Sequence, residues 1–409
     1  MTTRSRANGE GSIFPYRNGS FAAYVWVTKP DGKRTRKYVY GKTREETHDK
    51  WLALHQKAKA GPVVTKSLTL GNFAAYWLRE IVQPNLAPGT YVTYEVTSRL
   101  YIVPGLGKRR LDKLQISDTQ TWLNAVRREC QCCAQGKDKR RKPARQRCCA
   151  LGECCHEFPS ASTIGNIRRV LRTLLTQAIT EGHITANPAK NVKVPAARAK
   201  KRRAWTSDEA RQFLESARTD QDPYYAAYVL VLVLGLRKGE MLGATWPNID
   251  LNAGEVTVDM QLQRVGNQLL HRETKTPTSD DTLPMPEICT VALRERGAVQ
   301  RATQEQAGSA WQRTDLVFTT RFGTPIEPRN FNRYWDRRCD LAGVRRITIR
   351  DARRTCASLL ADLDVHPRVA MQILRHAQFS ITMEIYTVVS SAATRAALKK
   401  LGESLEHQS

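Results

Sequence analysis

Two arginine-containing segments in the second half of the chain carry residue types that bind phosphate. Arg237 and Glu240 are three residues apart and therefore lie within reach of each other on one helical face. Read alone, this pair could equally be a structural ion pair. Arg350 and Arg353 have the same spacing, and two guanidinium groups so placed repel each other unless an anion lies between them. Phosphate is the natural anion, so both segments are candidate phosphate-binding elements.

Three further residues could carry chemistry together with these arginines. His376 precedes Tyr386 by ten residues, a spacing that by itself favours a core histidine and a packing tyrosine. Lys275 lies in a hairpin-like segment, residues 271–277. Taken together, several arginines, a lysine, a histidine and a late tyrosine could form a phosphoryl-transfer site. In such a site guanidinium groups replace Mg²⁺ at the non-bridging oxygens.

A cysteine-rich segment is the other chemically competent part of the chain. Seven of the ten cysteines and one histidine fall within 27 residues, namely Cys130, Cys132, Cys133, Cys148, Cys149, Cys154, Cys155 and His156. Disulfides are unfavourable in a reducing cytosol, and thiol pairs separated by a basic stretch favour a structural Zn²⁺ with four soft ligands. The spacing matches no standard zinc finger, so unliganded or redox-active thiols are the alternative. The sequence does not select which four residues would bind.

The charge of the chain predicts a polyanionic partner. The 409 residues include 65 Lys and Arg against 39 Asp and Glu, a formal net charge of +26 at pH 7. Cationic side chains that neutralise phosphates release condensed counterions, so nucleic acid is the expected partner. Solvated basic faces with no partner are the alternative. The basic residues concentrate in three segments that are typical of contact loops or linkers, residues 29–44, 127–147 and 193–203.

The elements that must position these residues begin with a small sheet. Strong turn signals, including Asn18-Gly19, separate three predicted strands over residues 11–16, 21–28 and 34–40. Thr43 and Glu46 then form a capping box that begins a helix. A β-ribbon with a basic face fits the DNA major groove, and the alternative is a small accessory packing domain.

The next part of the chain is predicted to be all-helical. Apolar residues recur at helical spacing from Leu70, in a helix that Pro84 should end. Residues 104–107 are expected to form a turn, and residues 164–184 form a second amphipathic helix. Between them lies the cysteine-rich segment, which therefore interrupts a helical domain.

The last part is predicted to be mixed but mostly helical. It begins at a capping box formed by Thr206 and Glu209, and strands are expected over residues 255–262, 268–272 and 282–285. The longest apolar run, residues 225–236, is shorter than the roughly 18 residues of a membrane span and is typical of a buried core helix. The amino terminus has no apolar secretory segment, so a cytoplasmic location is expected and no membrane partner.

In the order of its motifs, the second half of the chain resembles the catalytic domain of the tyrosine recombinase (phage integrase) family. The family signature is an arginine in a Gly-Leu-Arg-x-x-Glu box, a hairpin lysine, a His-x-x-Arg box, and a histidine followed by a nucleophilic tyrosine. The matching positions are Arg237, Lys275, Arg350, Arg353, His376 and Tyr386. The resemblance covers nearly the whole chain. Within this family the chain most resembles integrases of actinobacterial integrative elements, which carry similar cysteine-rich segments.

The resemblance implies a multidomain fold. Its expected parts are an arm-type DNA-binding domain of three strands and a helix (1–64), an all-helical core-binding domain (65–192) with a Cys-rich insertion (129–158), a basic linker (193–203) and a mainly helical α+β catalytic domain (204–409).

The resemblance also implies site-specific DNA recombination that integrates a mobile element. Tyr386 would attack a backbone phosphate, form a 3′-phosphotyrosyl link and release a 5′ hydroxyl, with no cofactor in catalysis. The arginines would stabilise the transition state, and Lys275 would be the general acid. The implied partners are double-stranded attachment-site DNA and a homotetramer assembled on it, with an excisionase and a host DNA-bending protein as further candidates. A zinc-bound insertion would lie against DNA without taking part in catalysis.

One position departs from the family pattern. The first histidine of the His-x-x-Arg box is Arg350, and an arginine cannot accept a proton near neutral pH. His376, water or the surroundings of Glu240 would then have to help deprotonate Tyr386. This substitution keeps a second prediction open, a non-catalytic DNA-binding regulator with the recombinase fold. A type IB topoisomerase would share the chemistry but needs no arm-site reader, so the predicted sheet favours the integrase.

Overall fold

The chain folds into two compact units, Met1–Arg198 and Ala199–Ser409. The computed structural model describes residues 13–28, 32–61, 68–196, 204–274, 281–375 and Met383. The first unit contains the two predicted N-terminal domains, and the second contains the predicted catalytic domain, whose bounds stay a prediction. No helix within these described ranges has both the length and the apolar character needed to cross a bilayer.

A three-stranded antiparallel sheet and one helix come first. The strands are β1 (Ile13–Pro15), β2 (Phe21–Thr28) and β3 (Arg34–Gly41), paired in that order, and the helix is α1 (Arg44–Ala60). Thr43 caps α1 by accepting a hydrogen bond from the Glu46 N–H, as predicted, whereas the Glu46 carboxylate accepts from the Lys42 N–H. One face of the sheet packs on the helix through a small core of Ala23, Val25, Val27, Trp51 and Leu54. The predicted strands are thus confirmed, and the residues before Ile13 lie outside the described ones.

The other face of this sheet carries aromatic and basic side chains. Tyr24 lies opposite Tyr38, and Trp26 lies opposite Arg36, in the register of β2 and β3. The Arg36 guanidinium carbon is 4.9 Å from the Tyr24 ring centre and 4.8 Å from the Trp26 ring centre. Trp26, Tyr38 and Tyr40 are exposed although they are large and apolar. This face therefore presents stacked rings and a cation to solvent.

The rest of the first unit is helical. Its helices are α2 (Leu70–Tyr76), α3 (Gln83–Asn85), α4 (Pro88–Thr97), α5 (Val103–Leu106), α6 (Ile116–Arg128), α7 (Gln131–Ala134) and α8 (Ala161–Thr180). The apolar face of α8 supplies much of the core through Ile164, Ile167, Val170, Leu171, Leu174, Leu175 and Ala178. The helix predicted over residues 164–184 ends at Thr180, because Gly182 takes a φ of 73° that a continuing helix does not allow.

The helix that Pro84 is predicted to end stops one residue after it, at Asn85, whereas the turn predicted at residues 104–107 is wrong, because the chain is helical as far as Leu106. A π-helical turn, Trp77–Val82, joins α2 to α3, and a second one, Ser98–Ile102, joins α4 to α5. Pro84 and Pro104 each follow directly inside the next helical turn. Proline has no N–H and its ring clashes with the carbonyl four residues earlier, so a widened turn before it lets the helix continue.

The second unit is mostly helical with two small sheets. Its helices are α9 (Ser207–Thr219), α10 (Tyr225–Val233), α11 (Lys238–Gly243), α12 (Glu287–Ala307), α13 (Pro328–Leu341), α14 (Ile349–Asp362) and α15 (Pro367–Leu374). Its strands are β4 (Ile249–Asp250), β5 (Glu255–Val258), β6 (Met260–Val265), β7 (Gln268–Glu273) and β8 (Asp281–Pro284). The sheets are antiparallel, with the order β4-β5-β8 in one and a β6-β7 hairpin as the other. Short 3₁₀ turns occur at Arg17–Gly19, Leu111–Lys113, Pro143–Arg145, Cys149–Leu151, Trp246–Asn248 and Gly308–Ala310.

Most predicted elements of this unit are confirmed, and one is corrected. The capping box of Thr206 and Glu209 begins α9 with both reciprocal hydrogen bonds. The single strand predicted over residues 255–262 is two strands, because β5 pairs with β8 whereas β6 pairs with β7, and this change of partner falls at Asp259. Its carbonyl accepts from the Thr274 N–H at 2.7 Å, and its carboxylate accepts from the Asn248 amide.

The apolar run predicted as a core helix is α10, and it organises the second unit. Its buried residues are Ala226, Ala227, Tyr228, Val229, Leu230, Val231 and Leu232. An aromatic cluster surrounds Tyr228 and includes Phe213, Phe331 and Trp335. Because α10 is packed on all sides, the turn that follows it has a defined position, and that turn leads into the candidate site.

Candidate functional site

The turn after α10 places Arg237 at the start of α11. The Arg237 N–H donates to Glu240 Oε2 at 2.9 Å, and its Nη1 donates to Oε1 of the same carboxylate at 2.5 Å. Its side chain is nevertheless 45% exposed. The ion pair that the spacing predicted is therefore present, and it leaves the Arg237 guanidinium accessible to a ligand.

Arg353 is held inside the unit by α14. Thr348 caps this helix, and Arg353 on its buried face donates to the Gly235 carbonyl at 2.6 Å and to the Leu374 carbonyl. Gly235 itself has a φ of 60°, and a Cβ there would lie 2.6 Å from a Leu374 methyl group, so glycine is required. The Arg353 guanidinium thus connects the turn before Arg237 with the end of α15 through two hydrogen bonds.

Arg350 lies on the same helix but differs from Arg353 in its surroundings. Arg350 is exposed, as is Arg354, whereas Arg353 is buried. The spacing of the two predicted phosphate-binding arginines therefore gives one solvent-facing guanidinium and one that spends two donors on backbone carbonyls. An anion that contacts both must approach the exposed side of α14.

Arg375 completes this cluster, although it is not among the residues predicted for the site. Its side chain is fully buried at the end of α15, and its Nη2 donates to Glu240 Oε2 at 2.6 Å. Its backbone takes a φ of 50°, in the left-handed region that favours glycine. The Arg375 carbonyl also accepts from Arg237 Nη2 at 3.3 Å. The only sequence signal was its place directly before His376.

The cluster around Glu240 has more positive than negative charge. Burial opposes ionisation of Glu240, but Arg375 and Arg237 outweigh it and hold the pKa of this carboxyl below its ordinary value. Burial, together with the charges of Arg237 and Arg375, lowers the pKa of Arg353. Two guanidinium groups therefore share the Glu240 carboxylate, and the charge of a third, that of Arg353, interacts with them. This excess of positive charge suits a phosphate.

Three predicted site residues, Lys275, His376 and Tyr386, lie outside the described residues. Lys275 falls in the connection between β7 and β8, and His376 follows Arg375 directly. The structure thus brings Arg237 and Arg353 together with Arg375, and the positions of the other three in this site stay predictions.

All seven cysteines of the Cys-rich segment converge. Their sulfur atoms form two groups, in each of which all sulfurs lie within 4.8 Å of one another; these are Cys132, Cys148, Cys149 and Cys155, and then Cys130, Cys133 and Cys154. All are free thiols, as are Cys289, Cys339 and Cys356 of the second unit. Among the described residues His156 joins neither group, although it was a predicted ligand.

A buried carboxylate organises the loop between these cysteines. Asp138 is fully buried and accepts hydrogen bonds from the N–H groups of Cys148 at 2.9 Å and Ala150 at 3.1 Å, and from Arg141 Nη1 at 2.7 Å. Burial opposes its ionisation, but these backbone donors and that of Arg147 outweigh it and hold the pKa of Asp138 well below its ordinary value.

Comparison with known proteins places this geometry in a family. Residues 203–392 match the domain described as Phage integrase family, and residues 69–126 match Phage integrase, N-terminal SAM-like domain. The chain belongs to the phage integrase family. The match over the second unit includes Arg237, Arg353 and the positions of His376 and Tyr386.

Several relatives match this phage integrase family member over most of its length. A "Tyrosine recombinase XerC-like" protein of Caldanaerobacter subterraneus is 27% identical and covers 95% of this chain and 97% of its own length. An "Integrase" of Saccharopolyspora erythraea is 22% identical, with 94% of each chain covered. An "Integrase" of Streptomyces ambofaciens is 24% identical, with 87% of this chain and 86% of the relative covered.

Solved structures confirm the predicted fold class. The Tn1549 transposon integrase in complex with transposon right end DNA has a TM-score of 0.63 at 20% identity, covering 82% of this chain and all of that one. A lambda integrase dimer bound to a COC′ core site has a TM-score of 0.52 at 18% identity, covering 78% of this chain and 95% of that one. The three-stranded sheet, the helical domain and the mainly helical α+β unit are thus the fold of a tyrosine recombinase.

Proposed function

We propose that this integrase cuts and rejoins DNA at specific attachment sites and thereby integrates a mobile element. The observation that carries the proposal is the cluster around Glu240. Arg237 and Arg375 both donate to the buried Glu240 carboxylate, and Arg353, from a third element, donates to the carbonyl of Gly235, two residues before Arg237. A structural ion pair needs one guanidinium for one carboxylate, so the excess charge favours a phosphate as ligand.

The proposed reaction is a transesterification. The Tyr386 phenolate attacks a backbone phosphorus, a 3′-phosphotyrosyl bond forms, and the bond to the 5′ oxygen breaks. Lys275 supplies the proton to that oxygen, and a 5′ hydroxyl from a partner strand reverses the step. Because the phosphodiester energy is retained, ATP is not needed. Tyrosine recombinases use no cofactor in catalysis.

The described arginines take distinct parts in this proposal. Arg237 and Arg350 are exposed and bind the non-bridging oxygens. Arg353 donates one N–H to the Gly235 carbonyl and one to the Leu374 carbonyl, and it offers the rest of its five donors to phosphate. The positive field favours the phenolate of Tyr386, whose ordinary pKa is about 10, and stabilises the developing charge of the transition state. His376 assists proton transfer.

Arg350 supports one competing proposal. Since this residue cannot serve as a base, a non-catalytic DNA-binding regulator that keeps the recombinase fold is the second candidate function. The regulator would retain DNA binding and would form no covalent complex.

The expected partner is double-stranded attachment-site DNA, on which four copies assemble. The exposed face of the N-terminal sheet supports a DNA contact, because Arg36 stacks between Tyr24 and Trp26 on a solvent-facing strand pair. An excisionase and a host DNA-bending protein belong to the same proposal. A structural Zn²⁺ in the Cys-rich insertion would order a DNA contact and take no part in the reaction.

A covalent-trapping experiment tests the proposal. Wild type, Tyr386→Phe and Tyr334→Phe are incubated with nicked DNA from the flank of the gene, without ATP or added Mg²⁺. Tyr334 is an exposed tyrosine of the same unit and serves as the matched control. A protein–DNA band that survives SDS with wild type and Tyr334→Phe, and is missing with Tyr386→Phe, supports the recombinase. DNA binding by all three without any covalent band supports the regulator instead.

A further inference from the structure

The seven clustered thiols are more than a single tetrahedral metal ion can use as ligands, and their geometry indicates how they would be divided. The Sγ atoms of Cys132 and Cys148 are 3.7 Å apart, and those of Cys133 and Cys154 are also 3.7 Å apart. A disulfide has a sulfur separation of about 2.05 Å, so these pairs are not bonded. In a tetrahedral site with Zn–S bonds of about 2.3 Å, two ligand sulfurs are about 3.8 Å apart. The observed separations are those of tetrahedron edges.

Two of the three pairs of adjacent cysteines are divided between the groups, whereas Cys148 and Cys149 belong to the same group. Within the pair Cys132 and Cys133, and within the pair Cys154 and Cys155, the two neighbours fall in different groups. Cys149 belongs to the group of four, yet its sulfur is also 2.8 Å from that of Cys133 in the group of three. The Cys155 sulfur also lies 3.8 Å from that of Cys130, so two thiols of the group of four approach the group of three, and Cys149 makes the shorter contact.

We propose that the insertion binds two Zn²⁺ ions that share the Cys149 thiolate. Two tetrahedral ions require eight ligand positions, and seven thiolates fill them when one thiolate bridges. The first ion is held by Cys132, Cys148, Cys149 and Cys155, and the second by Cys130, Cys133, Cys149 and Cys154. His156 is not a ligand, but its backbone N–H donates to the Cys154 sulfur at 3.4 Å, a contact that stabilises a thiolate ligand.

The residues around the seven thiols favour a metal cluster at this position. Cys130, Cys132 and Cys148 are buried, and the Asp138 carboxylate fixes the backbone of the Cys148 loop independently of any metal. Seven thiolates and two Zn²⁺ carry a net charge of −3 from their formal charges, and the same loop carries exposed cations at Lys139, Arg140, Lys142, Arg145 and Arg147. The metal centre thereby joins the two ends of a basic loop that has only a small core of its own.

Metal stoichiometry on the full chain is the first test. Protein purified with Zn²⁺ is analysed by native mass spectrometry and by metal analysis, and two Zn²⁺ per chain are expected. In ¹¹³Cd-substituted protein two resonances are expected. One ion per chain, or none, overturns the proposal. This readout is independent of recombination, so failure of the recombinase proposal would not alter it.

Variants then test the shared thiolate. Cys149→Ser is expected to lower the content from two ions to one or none, whereas Cys289→Ala, which removes a thiol of the second unit, is expected to keep two. Alkylation of the wild type supplies a measurement that does not depend on folding of the variant. With Zn²⁺ bound, the exposed thiols Cys133, Cys154 and Cys155 should react at least ten-fold more slowly than after chelation. Two ions retained by Cys149→Ser, or equal alkylation rates, would contradict the assignment.

Discussion

Replacing Glu240 with glutamine should destabilise the second unit more than the loss of any exposed ion pair. The substitution keeps the shape of the side chain but removes the carboxylate that, among the described residues, pairs with Arg375, whose side chain is fully buried. Removing one partner of a buried pair costs about 3–5 kcal/mol, because the other charge stays buried without compensation. Arg237 adds little to this cost, since its side chain is 45% exposed and water screens its charge. For a unit of this size the expected decrease in Tm is about 6–20 °C.

Differential scanning calorimetry of the full chain measures this effect. Asp340→Asn is the matched control, because it breaks an exposed ion pair with Arg346 in the same unit and should cost less than about 1 kcal/mol. The reasoning is refuted if Glu240→Gln lowers the Tm no more than Asp340→Asn does. An unchanged Tm of Glu240→Gln would mean that a group other than Glu240 stabilises the Arg375 charge.

Acid titration gives the same substitution a second readout. The pKa of Glu240 is lower in the folded protein than its ordinary value, so its contribution to stability is complete above an unfolded-state pKa of about 4.3. That contribution is lost as the pH falls from there through the lowered folded-state pKa. Wild type should therefore lose stability in this range more steeply than Glu240→Gln, and parallel curves would exclude the lowered pKa.

Three further predictions use other parts of the chain. Arg350→Ala should lower the rate of DNA cleavage about 10²- to 10³-fold. Arg354 is an exposed arginine of the same helix, and Arg354→Ala should change that rate less than ten-fold. Equal losses in the two variants would show that Arg350 acts only through its contribution to the overall positive charge. Asp138→Asn should weaken Zn²⁺ binding about 10- to 100-fold in a chelator competition, because the N–H groups of the Cys148 loop lose their charged acceptor; an unchanged affinity would contradict this. Arg36→Ala should reduce the salt slope of duplex-DNA binding by about 1, and an unaltered slope would remove the sheet from the interface.

Local signals in the sequence predicted the ends of several elements correctly. Thr43 and Thr206 begin helices as predicted, because a cap requires only the residues of one turn. The turn predicted at residues 104–107 failed, since the π-helical turn that lets the helix continue through Pro104 depends on how the helix packs in its domain. The same holds for Asp259, where the chain leaves the ladder with β8 and enters the ladder with β7, so that one predicted strand becomes two.

The candidate site was predicted in part. The contact between Arg237 and Glu240 follows from a spacing of three residues, and the structure contains it. Arg375 was not predicted, because it is 135 residues from Glu240 in the chain and sits in a left-handed conformation that its residue type does not suggest. Its role can be recognised only once α11 and α15 are placed together.

The residue types available for chemistry follow from the sequence alone: seven closely spaced thiols, an ordered set of arginines with a late tyrosine, and a net charge of +26. Those features were sufficient for the family and for a polyanionic partner, because charge and motif order do not depend on coordinates. Only the tertiary structure decided that Arg353 is buried against two carbonyls while Arg350 is exposed, and that the thiols form two groups. The physical reason is that burial and the direction of a side chain depend on contacts between residues far apart in the chain.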